Sequence, residues 1–236
     1  MLKSLGQSRP LRSIVFLATL LVVIVAALSQ EPAKVNDTPS LVIRLIQLTV
    51  FCFAGYLLSA SRRWLVIYLA IAIPALIFGA LEAIFFGNTW LVITSLVFST
   101  ALLLLLFQAI LSFSLFNSEA SQLDRILAGI CGYLLLALFW SSFYQALCTL
   151  QPGAIISSQS GAVPPLGPDL LYFSIVTLTT LGYGDMAPGP NSMARLLCST
   201  QALIGTLYLA VFVGSLLNSG GTHGKRDGSG DSHETK

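Results

Sequence analysis

Residues 177–185 read Thr177-Leu178-Thr179-Thr180-Leu181-Gly182-Tyr183-Gly184-Asp185, and the two glycines one residue apart decide how the stretch is understood. Gly182 and Gly184 permit positive φ, so an extended strand here can turn successive carbonyls toward one side, a geometry that ordinary residues resist. Directly before them runs Leu170 to Thr179, an apolar stretch that as a helix covers only about 15 Å, roughly half the hydrocarbon thickness. A half-spanning helix is tolerated in a bilayer only when it is buried in protein or faces water. Pro168 and Asp169 suit its first turn, where proline sacrifices no hydrogen bond and a carboxylate meets the positive helix end.

The rest of the chain belongs in a membrane. Hydrophobic residues make up 55% of the 236 and charged residues 9%, more apolar surface than a soluble domain of this size can hide. Apolar runs at about 14–28, 41–61, 64–86, 90–116, 126–150 and 194–217 mostly exceed the roughly 18 residues that span hydrocarbon. The expected fold is an all-α membrane protein with six transmembrane helices, four peripheral and two flanking the half-helix. The first run follows Lys3, Arg9 and Arg12 and reads both as a retained helix and as a secretory signal; its exit, Leu28-Ser29-Gln30-Glu31, is a poor cleavage site and favours the helix.

With the N-terminus inside, Lys3, Arg9, Arg12, Arg62, Arg63, Arg125, Lys225, Arg226 and Lys236 lie on the cytoplasmic side, against Lys34, Arg44 and Arg195 outside. Nine against three obeys the positive-inside rule and places the C-terminus in the cytoplasm. The net charge of +2 forms no basic stripe with interleaved aromatics, so no nucleic-acid partner is expected. Cys52, Cys131, Cys148 and Cys198 are scattered through apolar runs without metal-ligand spacing and read as small buried hydrophobes, with no structural disulfide. His223 and His233 sit in a polar tail, and no phosphate loop or nucleophile elbow is present. Enzyme chemistry and a cofactor are not expected.

Three regions follow from composition. Residues 1–117 form an N-terminal four-helix region, 118–219 hold the half-helix between its two flanking spans, and 220–236 are a polar, disordered tail. Ser121 and Asp124 stand at capping-box spacing before the run that begins at Ile126, so a new helix starts there.

The stretch Thr177 to Asp185 closely resembles the potassium-channel signature T-x-T-T-x-G-Y-G-D, and residues 121–218 resemble the pore unit of potassium channels, of bacterial type. The resemblance implies a selectivity filter in which the carbonyls of Thr180, Leu181, Gly182 and Tyr183, with the Thr180 hydroxyl, replace the hydration shell of K+. Gly184 completes the ion-binding strand, Thr179 supports it, and Asp185 sits at the outer mouth within reach of Tyr172. Leu181 stands where the commonest filter has valine, which leaves the carbonyl in place. The ring of Tyr183 faces away from the ion and wedges against the pore helix.

One pore loop cannot enclose an axis, so a homotetramer is implied, in a bacterial inner membrane, with K+ as permeant ion. Gln201 to Val211 looks like the inner helix of bacterial channels, where Gly205 reads equally as a gating hinge and as a site of close helix packing. Val213 and Leu217 fall where the inner mouth narrows.

Six spans suggest a voltage-gated architecture, but residues 90–116 contain no Arg or Lys. Without gating charges the field has little to act on, at about 2.3 kcal/mol per charge per 100 mV. Arg44 and Glu82 lie near the outer ends of their helices and can snorkel or pair. Two rival readings are a subunit of a coupled K+ uptake transporter, which generally carries four pore loops in one chain, and a non-conducting membrane scaffold or sensor.

Overall fold

The fold is described from a computed structural model covering residues 62–85, 88–116, 122–158, 167–190 and 193–221. The first two apolar runs, Arg44, Cys52, Ser121 and the tail from 222 lie outside these residues, as does the side chain of Glu82. The elements are helices α1 (Arg62–Ile84), α2 (Thr89–Phe116) and α3 (Gln122–Leu150), strand β1 (Ile155–Ser157), helix α4 (Gly167–Leu178), strand β2 (Met186–Pro188) and helix α5 (Met193–Gly221). Among the described residues, three stretches are long and apolar enough to cross a membrane, Thr89–Gln108, Gln122–Leu150 and Met193–Leu217. The expected span at 64–86 is present as helix α1, whose apolar stretch Val66–Gly79 is shorter than that.

Helix α2 starts where the Asn88 side chain accepts the Trp90 amide at 3.1 Å, the arrangement of an asparagine N-cap. Its hydroxyls return to the helix: Thr94 donates to the Trp90 carbonyl at 2.9 Å and Ser99 to that of Ser95 at 2.8 Å. Polar groups satisfied within the segment can face hydrocarbon at little cost.

The helices pack in chain order, α1 on α2 and α2 on α3, while α3 also carries α4 and α5. One cluster joins Ala72 and Ala75 of α1, Leu102 and Leu106 of α2, and Cys131, Leu135 and Leu138 of α3. Small residues on α1 let the backbones approach, which is how helices gain contact where no hydrophobic effect drives them together. A second cluster lies behind α4, where Trp140, Tyr144 and Leu147 of α3 meet Leu170, Phe173 and Leu178 of α4 and Ala194 of α5. Helix α3 is thus the wall against which the half-helix is set. Cys131, Cys148 and Cys198 are free thiols.

Beyond the half-helix the chain is strapped to the preceding loop. Strands β1 and β2 pair antiparallel, with Ile155 opposite Pro188, Ile156 opposite Ala187 and Ser157 opposite Met186. Sequence reading leaves this pairing out, because three-residue strands carry too little alternation to register.

Candidate functional site

Helix α4 is 12 residues long, about 18 Å, and its first turn contains Pro168 and Asp169. It ends at Leu178, immediately before the filter stretch, in a defined stop. The Leu181 amide donates to the Val176 carbonyl at 2.9 Å and the Thr180 amide to the Thr177 carbonyl at 3.0 Å. These are the two bonds of a Schellman motif, whose left-handed position falls on Thr180. Thr180 has φ 56°, the single non-glycine residue with positive φ among those described. Glycine normally fills this position; a branched residue there costs on the order of 1–3 kcal/mol and marks a site that the surrounding structure over-determines.

Gly182 and Gly184 follow with φ 58° and 82°. Positive φ therefore recurs at 180, 182 and 184, with Leu181 and Tyr183 between them on the ordinary side. In a plain strand successive carbonyls alternate in direction. Alternating the handedness of successive residues turns every second peptide over and brings the oxygens to one side. The Thr180 hydroxyl donates to the Thr179 carbonyl at 2.7 Å, which uses its proton and leaves its lone pairs for a cation. Thr179 itself donates back to the Ile175 carbonyl at 2.8 Å and so belongs to the helix end.

Asp185 is held at both its main chain and its side chain. Its carboxylate accepts from the Tyr172 hydroxyl at 2.8 Å and from the Met186 amide at 3.0 Å. Its carbonyl accepts from the Ser158 amide at 2.8 Å and the Ser158 hydroxyl at 3.0 Å. The loop before α4 and the exit of the filter are thereby one unit. Tyr172→Phe removes the bond without removing the ring, and faster decay of current through the filter is the expected result, measured in macroscopic recordings.

Tyr133 and Gln201 hold α4 from behind, Tyr144 backs Gln201 and Tyr208 ties α5 to α3, and none of them stands out in the sequence. Tyr133 donates to the Leu178 carbonyl at 2.9 Å, satisfying one of the orphan acceptors at the helix end. Tyr144 donates to the Gln201 side chain at 2.5 Å, and Gln201 in turn reaches Ser174. Tyr208 donates to the Gly129 carbonyl at 2.8 Å. A polar residue inside an apolar run is the sequence signal for each of them, but it says nothing about the partner.

Gly205 is buried, and a Cβ there would lie 2.5 Å from the Leu178 carbonyl oxygen. Of its two readings, close packing is the one for which the structure supplies a contact. Tyr183 is 67% exposed and Leu181 55% exposed in the single chain. The sequence expects the ring of Tyr183 to wedge against the pore helix; in the single chain that ring is largely exposed.

Residues 128–219 match the family model described as ion channel. The matched stretch, which contains Thr177 to Asp185, is under half of the chain and is similar to ion-channel domains. The proteins it resembles bear the names of potassium channels. Over 45 residues it is 44% identical to two pore potassium channel a of rice, Oryza sativa subsp. japonica, covering 19% of this chain and 13% of that protein. Over 77 residues it is 38% identical to two pore potassium channel c of the same plant, covering 33% of this chain and 15% of the relative. Over 52 residues it is 36% identical to a protein of Rhodopseudomonas palustris that bears the name of a potassium channel, covering 22% and 12%. The matched segments thus span less than a sixth of the length of these relatives. No solved structure matches the chain.

Proposed function

We infer that four copies of this chain assemble into a potassium-selective channel that conducts passively. The observation that carries this reading is the alternation of positive φ at Thr180, Gly182 and Gly184 directly after a 12-residue apolar helix, too short to cross a bilayer. With four chains around an axis, the carbonyls of Thr180, Leu181, Gly182 and Tyr183 and the Thr180 hydroxyl form successive rings that replace the water shell of K+, and Gly184 closes the strand. The negative ends of four α4 helices face the membrane centre and lower the cost of a cation waiting there. Asp185, fixed by Tyr172 and Ser158, holds negative charge at the outer mouth.

The exposure of the filter strand supports assembly. Leu181 and Tyr183 stand out from the single chain, and so do Leu203, Leu207 and Val211 on α5. Neighbouring chains would cover the first pair and pack against the second set. We place the six spans in a bacterial inner membrane with the C-terminus in the cytoplasm, 1–117 as the peripheral region, 118–219 as the pore domain and 220–236 as a free tail. Val213 and Leu217, both exposed, would face the inner mouth.

Reconstituted protein should show a reversal potential that follows the K+ gradient and ignores the Na+ gradient, with flux blocked by barium. A preparation that passes both ions equally, or that works as a monomer, would defeat this reading. Because α2 carries no basic residue, opening should respond weakly to voltage. The conductance–voltage relation in a planar bilayer measures this, and a steep voltage-driven rise would count against it.

A further inference from the structure

One face of α5 meets the rest of the chain at Gln201, Gly205, Tyr208 and Phe212, residues spaced by a turn each. Its upper half grips the pore helix at two points. Gln201 reaches Ser174 and Gly205 lies against Leu178, and these partners are themselves one turn apart on α4.

Gln201, Ser174 and Tyr144 are each 0% exposed. Their hydrogen bonds have a determined direction. The Ala137 carbonyl can only accept, so the Ser174 hydroxyl donates to it, at 2.7 Å. The Ser174 oxygen is then an acceptor for the Gln201 amide nitrogen at 2.9 Å, and the same nitrogen reaches the Ser174 carbonyl at 2.9 Å. The amide oxygen of Gln201 is thereby turned away from α4, and Tyr144 donates to it.

Apolar packing alone does not call for this arrangement. A glutamine buried here gives up side-chain entropy and hydration that a leucine of similar volume would not. What the amide supplies is direction and distance, since two bonds from one nitrogen fix Ser174 in register with α5. Ser174 lies six residues before Thr180 on a short helix that runs straight into the filter. A displacement of α4 at Ser174 therefore moves the first ring of ligands.

We propose that Gln201 is a positioning residue for ion selection, its buried amide holding the pore helix through Ser174 and so setting where the Thr180 oxygens stand. The proposal rests on the filter reading above. Its test compares Gln201→Leu with Tyr144→Phe in reconstituted full-length protein, reading the K+-over-Na+ permeability ratio from reversal potentials and the thermal stability of the assembly. Gln201→Leu releases Ser174 and should lower the permeability ratio about three- to tenfold, the range that one net hydrogen bond supplies. Tyr144→Phe loosens the far side of the amide and leaves its grip on Ser174, so it should lower thermal stability while the ratio stays at the wild-type value.

Should Gln201→Leu fail to assemble, Ser174→Ala gives the same test with a smaller side chain. The Gln201 bond to the Ser174 carbonyl survives in it, so the expected fall is about two- to threefold. Loss of stability in the assembling variants with no change of ratio overturns the proposal and makes the cluster a simple staple. A wild-type protein without selective K+ flux overturns the filter reading itself, a result distinct from selective wild type with unchanged variants.

Discussion

Alanine in place of Gly182 or Gly184 should abolish K+-selective flux, the largest effect expected of any single substitution in this chain. No atom of the chain lies within 4 Å of a Cβ built at either position, so crowding within one subunit is not the cause. The cause is the backbone. At φ 58° and 82° an L-residue with a Cβ is held in the left-handed region at about 1–2 kcal/mol each. In the proposed tetramer this becomes about 4–8 kcal/mol per pore, comparable with the whole stability of a typical domain at about 5–15 kcal/mol. The strand escapes by turning the peptide over, and a carbonyl leaves the ring. Gly214→Ala is the control: its Cβ also meets nothing within 4 Å and its φ is not positive, so flux should persist. Liposome flux under opposed K+ and Na+ gradients reads both variants, and selective flux through Gly182→Ala would show that the alternation of handedness is not what aligns the oxygens.

Gly205→Ala is the second large effect, and it separates the two roles that glycine can play on an inner helix. The added Cβ would stand 2.5 Å from the Leu178 carbonyl oxygen and 2.9 Å from a methyl carbon of Leu178. The carbonyl belongs to the backbone at the end of α4 and is already engaged by Tyr133, so it cannot simply rotate away. Overpacking of this kind costs about 1–3 kcal/mol per subunit. The thermal midpoint of the assembly and the permeability ratio should fall together, because the helix end that is pushed is the one that leads into the filter. A pure hinge predicts the opposite for stability: alanine favours a helix over glycine by about 1 kcal/mol, so the assembly would hold or gain while gating kinetics changed. Thermal unfolding of the detergent-solubilised protein beside flux distinguishes the two.

The same contact explains why sequence alone left Gly205 open. A small residue within a membrane helix serves bending and close approach equally well, and one-dimensional spacing does not say which neighbour arrives. The half-helix was legible because its evidence is local. Its length falls short of the bilayer, Pro168 and Asp169 mark its start, and two glycines mark its end. The positive φ of Thr180 escaped notice for a corresponding reason: threonine has no preference for it, and the Schellman bonds at Leu181 and Thr180, not the side chain, impose it. Gln201, Tyr144 and Ser174 looked like isolated polar residues in apolar runs, since a buried amide declares itself only once the partners from two other helices surround it.

By itself the sequence determined that this is a helical membrane protein with an apolar half-span ending in a glycine-alternating strand, because hydropathy, helix length and the freedom of glycine act within a few residues of chain. Tertiary structure alone decided what stands behind that strand. It set Gln201 on Ser174, Gly205 on Leu178 and Ser158 on Asp185, contacts between residues tens of positions apart whose pairing depends on how α3, α4 and α5 cross. Local preferences choose the elements, and only packing chooses their partners.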